Sequence, residues 1–370
     1  MQSTRAIIYL NHLRQNIEAA RKKAGPHPKI CFPVKADGYG HGAVQLSDCA
    51  LKAGADYLAV SSLLEGRELR LAGFKAPILV LAQALPIELK EIISLELIPI
   101  VSDDGFIEEA GKAAMEMKKT LAMHLKIDTG MGRLGCFPGE APKLAAKIAS
   151  HKWLSLGGTA THLSVSDSIS PENITYTKEQ LSLFKKAVSS IKEAGVDPGL
   201  LHAANSGALV FHEDSYFDMI RPGLFLYGYS PNKSSASLVK PVMELRSPVV
   251  SIKKIKKGDS ASYGNTWQAK ADTFLGVISL GYADGLPWQL SNNHSVSIRG
   301  KAYPLVGRIC MDQIIVDLGK DPEVQRWDEA IIFGPNFITA ADMAEKLSSL
   351  PYEITCGINK RVPREYVYCE

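Results

Sequence analysis

The chain has 370 residues, 46% of them hydrophobic, enough to build a large core and to exclude a disordered polymer. Its 42 basic and 39 acidic residues nearly cancel, so no charge excess points to nucleic acid or to an anionic membrane surface. Cys31, Cys49, Cys136, Cys310, Cys356 and Cys369 form no CxxC pair and fit a reducing compartment, and the histidines show neither HExxH spacing nor a Cys/His cluster, so no metal site is expected.

The N-terminal stretch MQSTRAIIYLNHLRQNIEAARKKAG lacks the apolar core of a signal peptide. It reads as a short strand and then an amphipathic helix ending near Gly25. No segment reaches the roughly 18 apolar residues of a membrane span, and a cytoplasmic location is expected. Eight strand candidates follow: KICFPVKA, ADYLAVSS, PILVLAQA, LIPIVSD, TLAMHLKID, LSLGGTATHLS, GLLHAANSG and FDMIRPGLFLYG. Helical patterns such as AVQLSDCALKAG and TKEQLSLFKKAVSSIKEAG separate most of them, at the spacing that βα units require. The expected fold is α/β, a (β/α)8 TIM-type barrel over residues 1–239. The strands end in Lys35, Ser61, Gln83, Ser102, Asp128, His162, Asn205 with Ser206, and Arg221. Barrels and doubly wound sheets both place ligands at strand C-termini, so the count of eight is what favours the barrel.

After YGYSPNKSSASL, a Ser-, Asn- and Gly-rich linker, strands continue without regular helices. RSPVVSIKKI, TFLGVISLGY, NHSVSIRGKAYPLVGRICMDQIIVDL and EAIIFG predict a mainly β domain over residues 240–370, with a single late helix at TAADMAEKLSSL. The lysines of SIKKIKKGD read as a solvated strand edge or turn.

The stretch CFPVKADGYGHG carries the first chemical signal. A lysine at the inner end of a barrel strand is costly unless it is paired or reactive. Lys35 can bind an anion, form a Schiff base with a carbonyl, or merely reach out to solvent. The glycines after it allow close backbone approach, but their spacing is not the GxGxxG of dinucleotide sites, and no GxxxxGK[ST] occurs. Near the last two strand ends, HAANSG and MIRPGLFLYG offer the Ser206 hydroxyl and the backbone of Gly207, Gly223 and Leu224, the usual phosphate position of a barrel. An amine on the first strand and a phosphate cradle on the last two suit pyridoxal 5′-phosphate.

The motifs VKADGYGHG, KIDTGMGRLG, THLSVSD, HAANSG, IRPGLFLYG, SYGNTW, GYADG and GRICMDQ, in that order over nearly the whole chain, closely resemble the alanine racemases. The resemblance implies a pyridoxal-phosphate isomerase that interconverts L- and D-alanine for peptidoglycan synthesis. It implies a homodimer in which the C-terminal domain completes the partner's active site. Lys35 then matches the lysine that holds the cofactor covalently and serves as one catalytic base, and Tyr263 matches the other base. Tyr39, Ser206, Gly223 and Leu224 match the phosphate-binding positions, and Asn205 a further cofactor-binding one. Arg221 resembles the arginine facing the pyridine nitrogen, with His202 supporting it. Arg133 matches a residue near the cofactor's phenolic oxygen and the substrate, and His162 one that orients the catalytic tyrosine. Met311 and Tyr282 match residues of the substrate carboxylate site and its mouth, and Asp312 a support beside them. Lys126 matches a lysine carbamylated in some members. One position departs: part of the family has a tyrosine before RVP, where this chain has Lys360.

Racemisation needs a base on each face of a planar intermediate, which Lys35 and Tyr263 would supply. A guanidinium at Arg221 cannot accept the pyridine proton, which would weaken the electron sink and limit side reactions. Tyr282 and Asp312 read equally well as structural hydrogen-bonding groups, Cys310 as a core residue and His41 as a loop support. Rival functions are a broad-specificity racemase acting on serine or lysine, a decarboxylase of the same fold, a non-catalytic pyridoxal-phosphate binder and a cofactor-free Schiff-base aldolase. The second-face tyrosine argues against decarboxylation, and the β domain against the non-catalytic binder.

Overall fold

The computed structural model describes residues 4–368, so Cys369 lies outside the described residues. They separate into two compact units. One takes residues 13–38 and 43–239, and the other takes residues 39–42 with the described parts of 1–12 and 240–370. Strand β1 (Arg5–Tyr9) belongs to the second unit.

The first unit is the barrel. Its strands are β2 (Lys29–Pro33), β3 (Tyr57–Val60), β4 (Ile78–Val80), β5 (Ile98–Val101), β6 (Leu121–Lys126), β7 (Leu154–Ala160), β8 (Leu200–His202) and β9 (Met219–Ile220). They pair in parallel in the order β8-β7-β6-β5-β4-β3-β2-β9. Two backbone bonds join the ends of that row, Asp218 N–H to the Leu201 carbonyl at 3.0 Å and Arg221 N–H to the Ala204 carbonyl at 2.8 Å. Parallel strands covered on both faces are apolar throughout, as YLAV, ILV and IPIV are. Inside, Cys31, Ala59, Leu79 and Met219 from four strands form one buried cluster.

The helices begin where short polar side chains cap them. Ser62 accepts from Glu65 N–H ahead of Leu63–Leu71, Asp103 from Phe106 N–H ahead of Asp104–Met117, and Ser170 from Asn173 N–H ahead of Pro171–Glu193. The strands are shorter than the apolar runs suggest. FDMIRPGLFLYG contributes only Met219–Ile220, because Pro222 leads into a helical turn at Gly223–Leu226. GLLHAANSG contributes only Leu200–His202, because Asn205 caps the helix Ser206–Phe211.

The second unit holds β10 (Met243–Ile255), β11 (Thr273–Ile278), β12 (Ser295–Ile298), β13 (Lys301–Pro304), β14 (Ile314–Gly319), β15 (Glu329–Phe333) and β16 (Arg364–Val367). The main path runs β13-β12-β15-β10-β1-β16, with β11 pairing both β10 and β14. The thirteen-residue β10 lies against β1 and β15 with its first half and against β11 with its second. Sequence patterning misses two elements here. A second short helix, Pro351–Gly357, follows Ala340–Lys346, and β16 adds a strand parallel to β1. Lys253 and Lys254 are exposed on the half of β10 that pairs with β11 alone, and Lys256 and Lys257 are exposed at the turn that follows, as the sequence suggests.

Candidate active site

The polar residues named from the barrel sequence lie just beyond the strand C-termini. Lys35 follows Val34 immediately after β2, His162 stands two residues past β7, and Arg221 directly follows β9. The segment after Lys35 is unusual. Ala36, Asp37, Gly38 and Tyr39 all have positive φ, between 49° and 61°. Such a turn costs an L-residue on the order of 1–2 kcal/mol per position, and only one of the four is glycine. Two carboxylates of the barrel unit offset that cost. Glu65 accepts Ala36 N–H at 2.7 Å and Ser61 N–H at 2.6 Å, and Asp37 accepts Ala43 N–H at 2.8 Å. The glycine-rich stretch therefore answers a conformational need, and it turns the chain sharply just after the lysine.

Arg221 is the centre of the barrel-side network and only 7% exposed. Its Nη1 donates to His202 Nδ1 at 2.5 Å, and its Nη2 to the carbonyls of Thr161 at 2.9 Å and Ala203 at 3.2 Å. A longer contact, 3.5 Å, runs from Nη2 to His162 Nδ1. Every partner is neutral, and burial pulls the guanidinium down to about 10. Because arginine only donates, His202 Nδ1 must accept, which leaves its proton on Nε2. That nitrogen lies 2.8 Å from His124 Nδ1, so His124 accepts in turn and carries its own proton on Nε2. Burial, then the Arg221 charge, holds both imidazoles neutral, His202 well below its ordinary value and His124 at about 3.

Lys126 ends β6 two residues after His124, on the same face of the strand. It is 8% exposed, and burial with the charges of Arg221 and Arg133 disfavours its ammonium form. His162 is likewise held neutral by burial and by Arg221, Lys126, Arg133 and Lys35. Arg133 itself is exposed, on a loop organised by Asp128. That carboxylate accepts four successive N–H groups, from Gly130, Met131, Gly132 and Arg133, at 2.8–3.2 Å.

Beyond the end of β8, Asn205 Oδ1 accepts from Ala208 N–H at 3.0 Å and from the Ser166 hydroxyl at 2.7 Å. The Ser206 hydroxyl accepts Phe225 N–H at 3.1 Å, which ties the two strand-end loops together. Gly223 N–H turns to the Arg221 carbonyl at 3.0 Å, and Leu224 follows it in the same helical turn.

In the sheet unit, Tyr39 is buried against Tyr352, with ring centroids 5.2 Å apart. Its carbonyl lies 2.9 Å from Nδ1 of the buried His41. A Cβ at Gly40 would lie 2.1 Å from the Thr355 carbonyl, so only glycine fits there. Tyr263 opens a one-turn helix and is 71% exposed. The residue before it, Ser262, has φ 64° and bonds the Arg308 carbonyl at 2.5 Å, which fixes where the tyrosine starts. Tyr282 and Met311 are exposed, and Tyr282 N–H donates to the Cys310 carbonyl at 3.0 Å. Cys310 is half-buried, not a sealed core residue, with its Sγ 3.4 Å from the Ser262 hydroxyl. Asp312 accepts from Arg361 at 2.7 Å, and Lys360 is exposed.

A family model described as the alanine racemase N-terminal domain matches residues 8–231, and its C-terminal counterpart matches residues 242–366. The chain belongs to the alanine racemase family. It is 48% identical to the alanine racemase of Treponema denticola, over 99% of each sequence. It is 40% identical to that of Treponema pallidum, over 99% of this chain and 100% of the relative. Among solved structures, the alanine racemase of Clostridium difficile 630 superposes with a TM-score of 0.94 at 32% identity, covering 100% of this chain and 96% of that one. The Bartonella henselae alanine racemase, described with covalently bound pyridoxal phosphate, gives 0.89 at 26% identity, over 99% of this chain and 100% of that one.

For a racemase of this family, the geometry adds residues that sequence reasoning missed. His124 left a signal, since MHLK places it two residues before Lys126 on one strand face. Glu65 and Arg361 left none, because their partners are backbone amides or residues distant in the chain. Among the described residues, no group of three or more His, Cys, Asp or Glu side chains could hold a metal, and no helix is long and apolar enough to cross a membrane.

Proposed function

We propose that the protein is a pyridoxal 5′-phosphate-dependent alanine racemase that interconverts L- and D-alanine, and that its product feeds peptidoglycan synthesis in the cytoplasm. The observation that carries the reading is the environment of Arg221, a buried guanidinium that donates only to neutral acceptors and never to a carboxylate. The donor set suits the cofactor. Lys35, Arg133 and Arg221 act together on His162, a concentration of positive charge that an anionic phosphate and phenolate would neutralise.

Bound pyridoxal phosphate supplies an aldehyde for covalent attachment and an electron sink for the α-carbon. The other roles fall to the chain. Lys35 Nζ would hold the cofactor and then move the α-proton on one face. Tyr263 Oη would move it on the other face, in a site shared between two chains of a homodimer. Tyr39, Ser206, Gly223 and Leu224 would hold the phosphate, with Asn205 beside them in the cofactor site. Arg221 would donate to the pyridine nitrogen and leave it unprotonated, since a guanidinium has no lone pair to offer. Neutral His162 can accept a hydrogen bond without adding charge. Arg133 and Met311 would receive the substrate carboxylate, with Tyr282 at the mouth. Tyr263, Tyr282, Trp288 and Met311 are large apolar side chains left exposed on the sheet unit, which supports the dimer.

The test is a chiral assay of purified, pyridoxal-phosphate-loaded protein with L-alanine, L-serine and L-lysine. D-Alanine should accumulate fastest until both enantiomers are equal. Faster turnover of serine or lysine would replace alanine as the substrate, and carbon dioxide release would make the protein a decarboxylase.

A further inference from the structure

One arginine that the proposed mechanism does not use ties three loops of the sheet unit together. Arg361 Nε donates to Asp284 Oδ1 at 2.8 Å, and Arg361 Nη2 to Asp312 Oδ1 at 2.7 Å. The second Asp284 oxygen accepts Gly281 N–H at 2.8 Å, and the Asp284 carbonyl accepts Asn359 N–H at 3.0 Å. Across the same junction, Tyr282 N–H and Ala283 N–H donate to the carbonyls of Cys310 and Met311, both at 3.0 Å. The loops touch backbone to backbone. A Cβ at Gly281 would lie 2.3 Å from both of those carbonyl oxygens, and one at Gly285 would lie 2.1 Å from the Gly357 carbonyl. The Asp284 side chain is 9% exposed at the centre of this junction, whereas Tyr282 and Met311 emerge at its edge.

We propose that Arg361 is a positioning residue that sets the spacing of Tyr282 and Met311, and through them the fit of a small substrate's carboxylate. The inference rests on the racemase reading above, which places those two residues against the substrate. The guanidinium is suited to the task because its planar fork serves two carboxylates at once. A lysine could reach one of them, as a single point charge. The two aspartates raise the Arg361 pKa further, so the clamp stays charged wherever the carboxylates do. Cutting one arm frees the Met311 loop, and cutting both also loosens the Tyr282 turn.

The experiment uses the holoenzyme and its Arg361→Gln, Arg361→Lys and Asp312→Asn variants. KM and kcat are measured for L-alanine, with acetate as a competitive probe of the carboxylate site. Arg361→Gln should raise both KM and the acetate inhibition constant about tenfold, the scale of one lost hydrogen bond to a charged group. Its kcat should stay within about twofold, because the interaction orients substrate and does not move protons. Arg361→Lys should fall between it and wild type, and Asp312→Asn, at an exposed position, should shift both constants in the same direction by less. The visible absorbance of bound cofactor should not change in any of them. A folded Arg361→Gln protein with unchanged KM and acetate binding would overturn the inference, even if its melting temperature fell. Should that variant not fold, Asp312→Asn decides in the same way. A wild-type enzyme that does not racemise alanine would instead overturn the functional reading.

Discussion

His202 Nε2 lies 2.8 Å from His124 Nδ1, two imidazoles 78 residues apart in the chain and both sealed from water. Arg221 sets the direction of this bond, because it can only donate to the other His202 nitrogen. The relay ends on neutral groups, so no negative charge offsets the guanidinium.

The relay predicts the protonation pattern of both rings. Nitrogen-15 spectra of histidine-labelled protein should show His202 and His124 each protonated on Nε2. Neither should titrate between about pH 8 and about pH 5, the range in which an ordinary histidine changes charge. Replacing His124 with Leu should orphan the His202 N–H and cost about 1–3 kcal/mol in urea unfolding. A His202 proton found on Nδ1 would reverse the relay and remove its basis.

A shared site predicts complementation between dead variants. Lys35→Ala should lose both turnover and the visible band of the bound cofactor, and Tyr263→Ala should lose turnover alone. Mixed with subunit exchange, about half the dimers become heterodimers, each with one intact site, so activity should return to roughly a quarter of wild type. A mixture that demonstrably exchanges subunits and stays inactive would place Tyr263 in its own chain's site.

Lys126 predicts a modification. Its ammonium is disfavoured by burial and by Arg221 and Arg133, and a neutral amine is the form that adds carbon dioxide. As a carbamate it would supply the anion that these cations lack and would hold Arg133 by charge-assisted hydrogen bonds. Carbon-13 spectra of protein equilibrated with labelled bicarbonate should show one carbamate resonance, absent in Lys126→Ala. No such resonance, or one that persists in the variant, would leave Lys126 as a plain amine.

Stability should fall on the acid side of neutrality. His294 is buried, with Nε2 donating to the Ile332 carbonyl at 2.9 Å and no partner for Nδ1, and burial lowers it from 6.5 to about 4. Between those values the unfolded chain binds a proton that the folded chain refuses, so stability is full above about pH 6.5 and declines as pH falls toward about 4. At about pH 5 this one residue should account for roughly 2 kcal/mol. His124 and His202 act with the same sign. The urea midpoint should fall less between neutral and mildly acid pH for His294→Gln than for wild type, and equal falls would show that His294 charges freely in the folded protein.

Local chemistry along the chain decided much of this protein. Apolar runs ending in polar residues mark the barrel strands and the places where ligands gather, because parallel strands are covered on both faces and open only at their ends. Lys35, Arg133, His162 and Arg221 stand out in sequence because each sits in a motif that resembles the family's. Element boundaries were less visible, since where β8 and β9 stop depends on the Asn205 cap and Pro222. Only the tertiary structure could decide which distant groups meet. His124 finds His202 because the two strands that carry them are brought together in one barrel, with β7 between them. Arg361 finds Asp284, 77 residues away, because two turns pack so closely that only glycine fits at their contact. Strand β1 pairs with β10 and β16, more than 200 residues downstream, through backbone hydrogen bonds that leave no trace in side-chain pattern. The left-handed turn after Lys35 is held by Glu65, a residue that reads in sequence as an ordinary helix carboxylate. Pairings of this kind depend on where whole elements lie in space, which no local run of residues encodes.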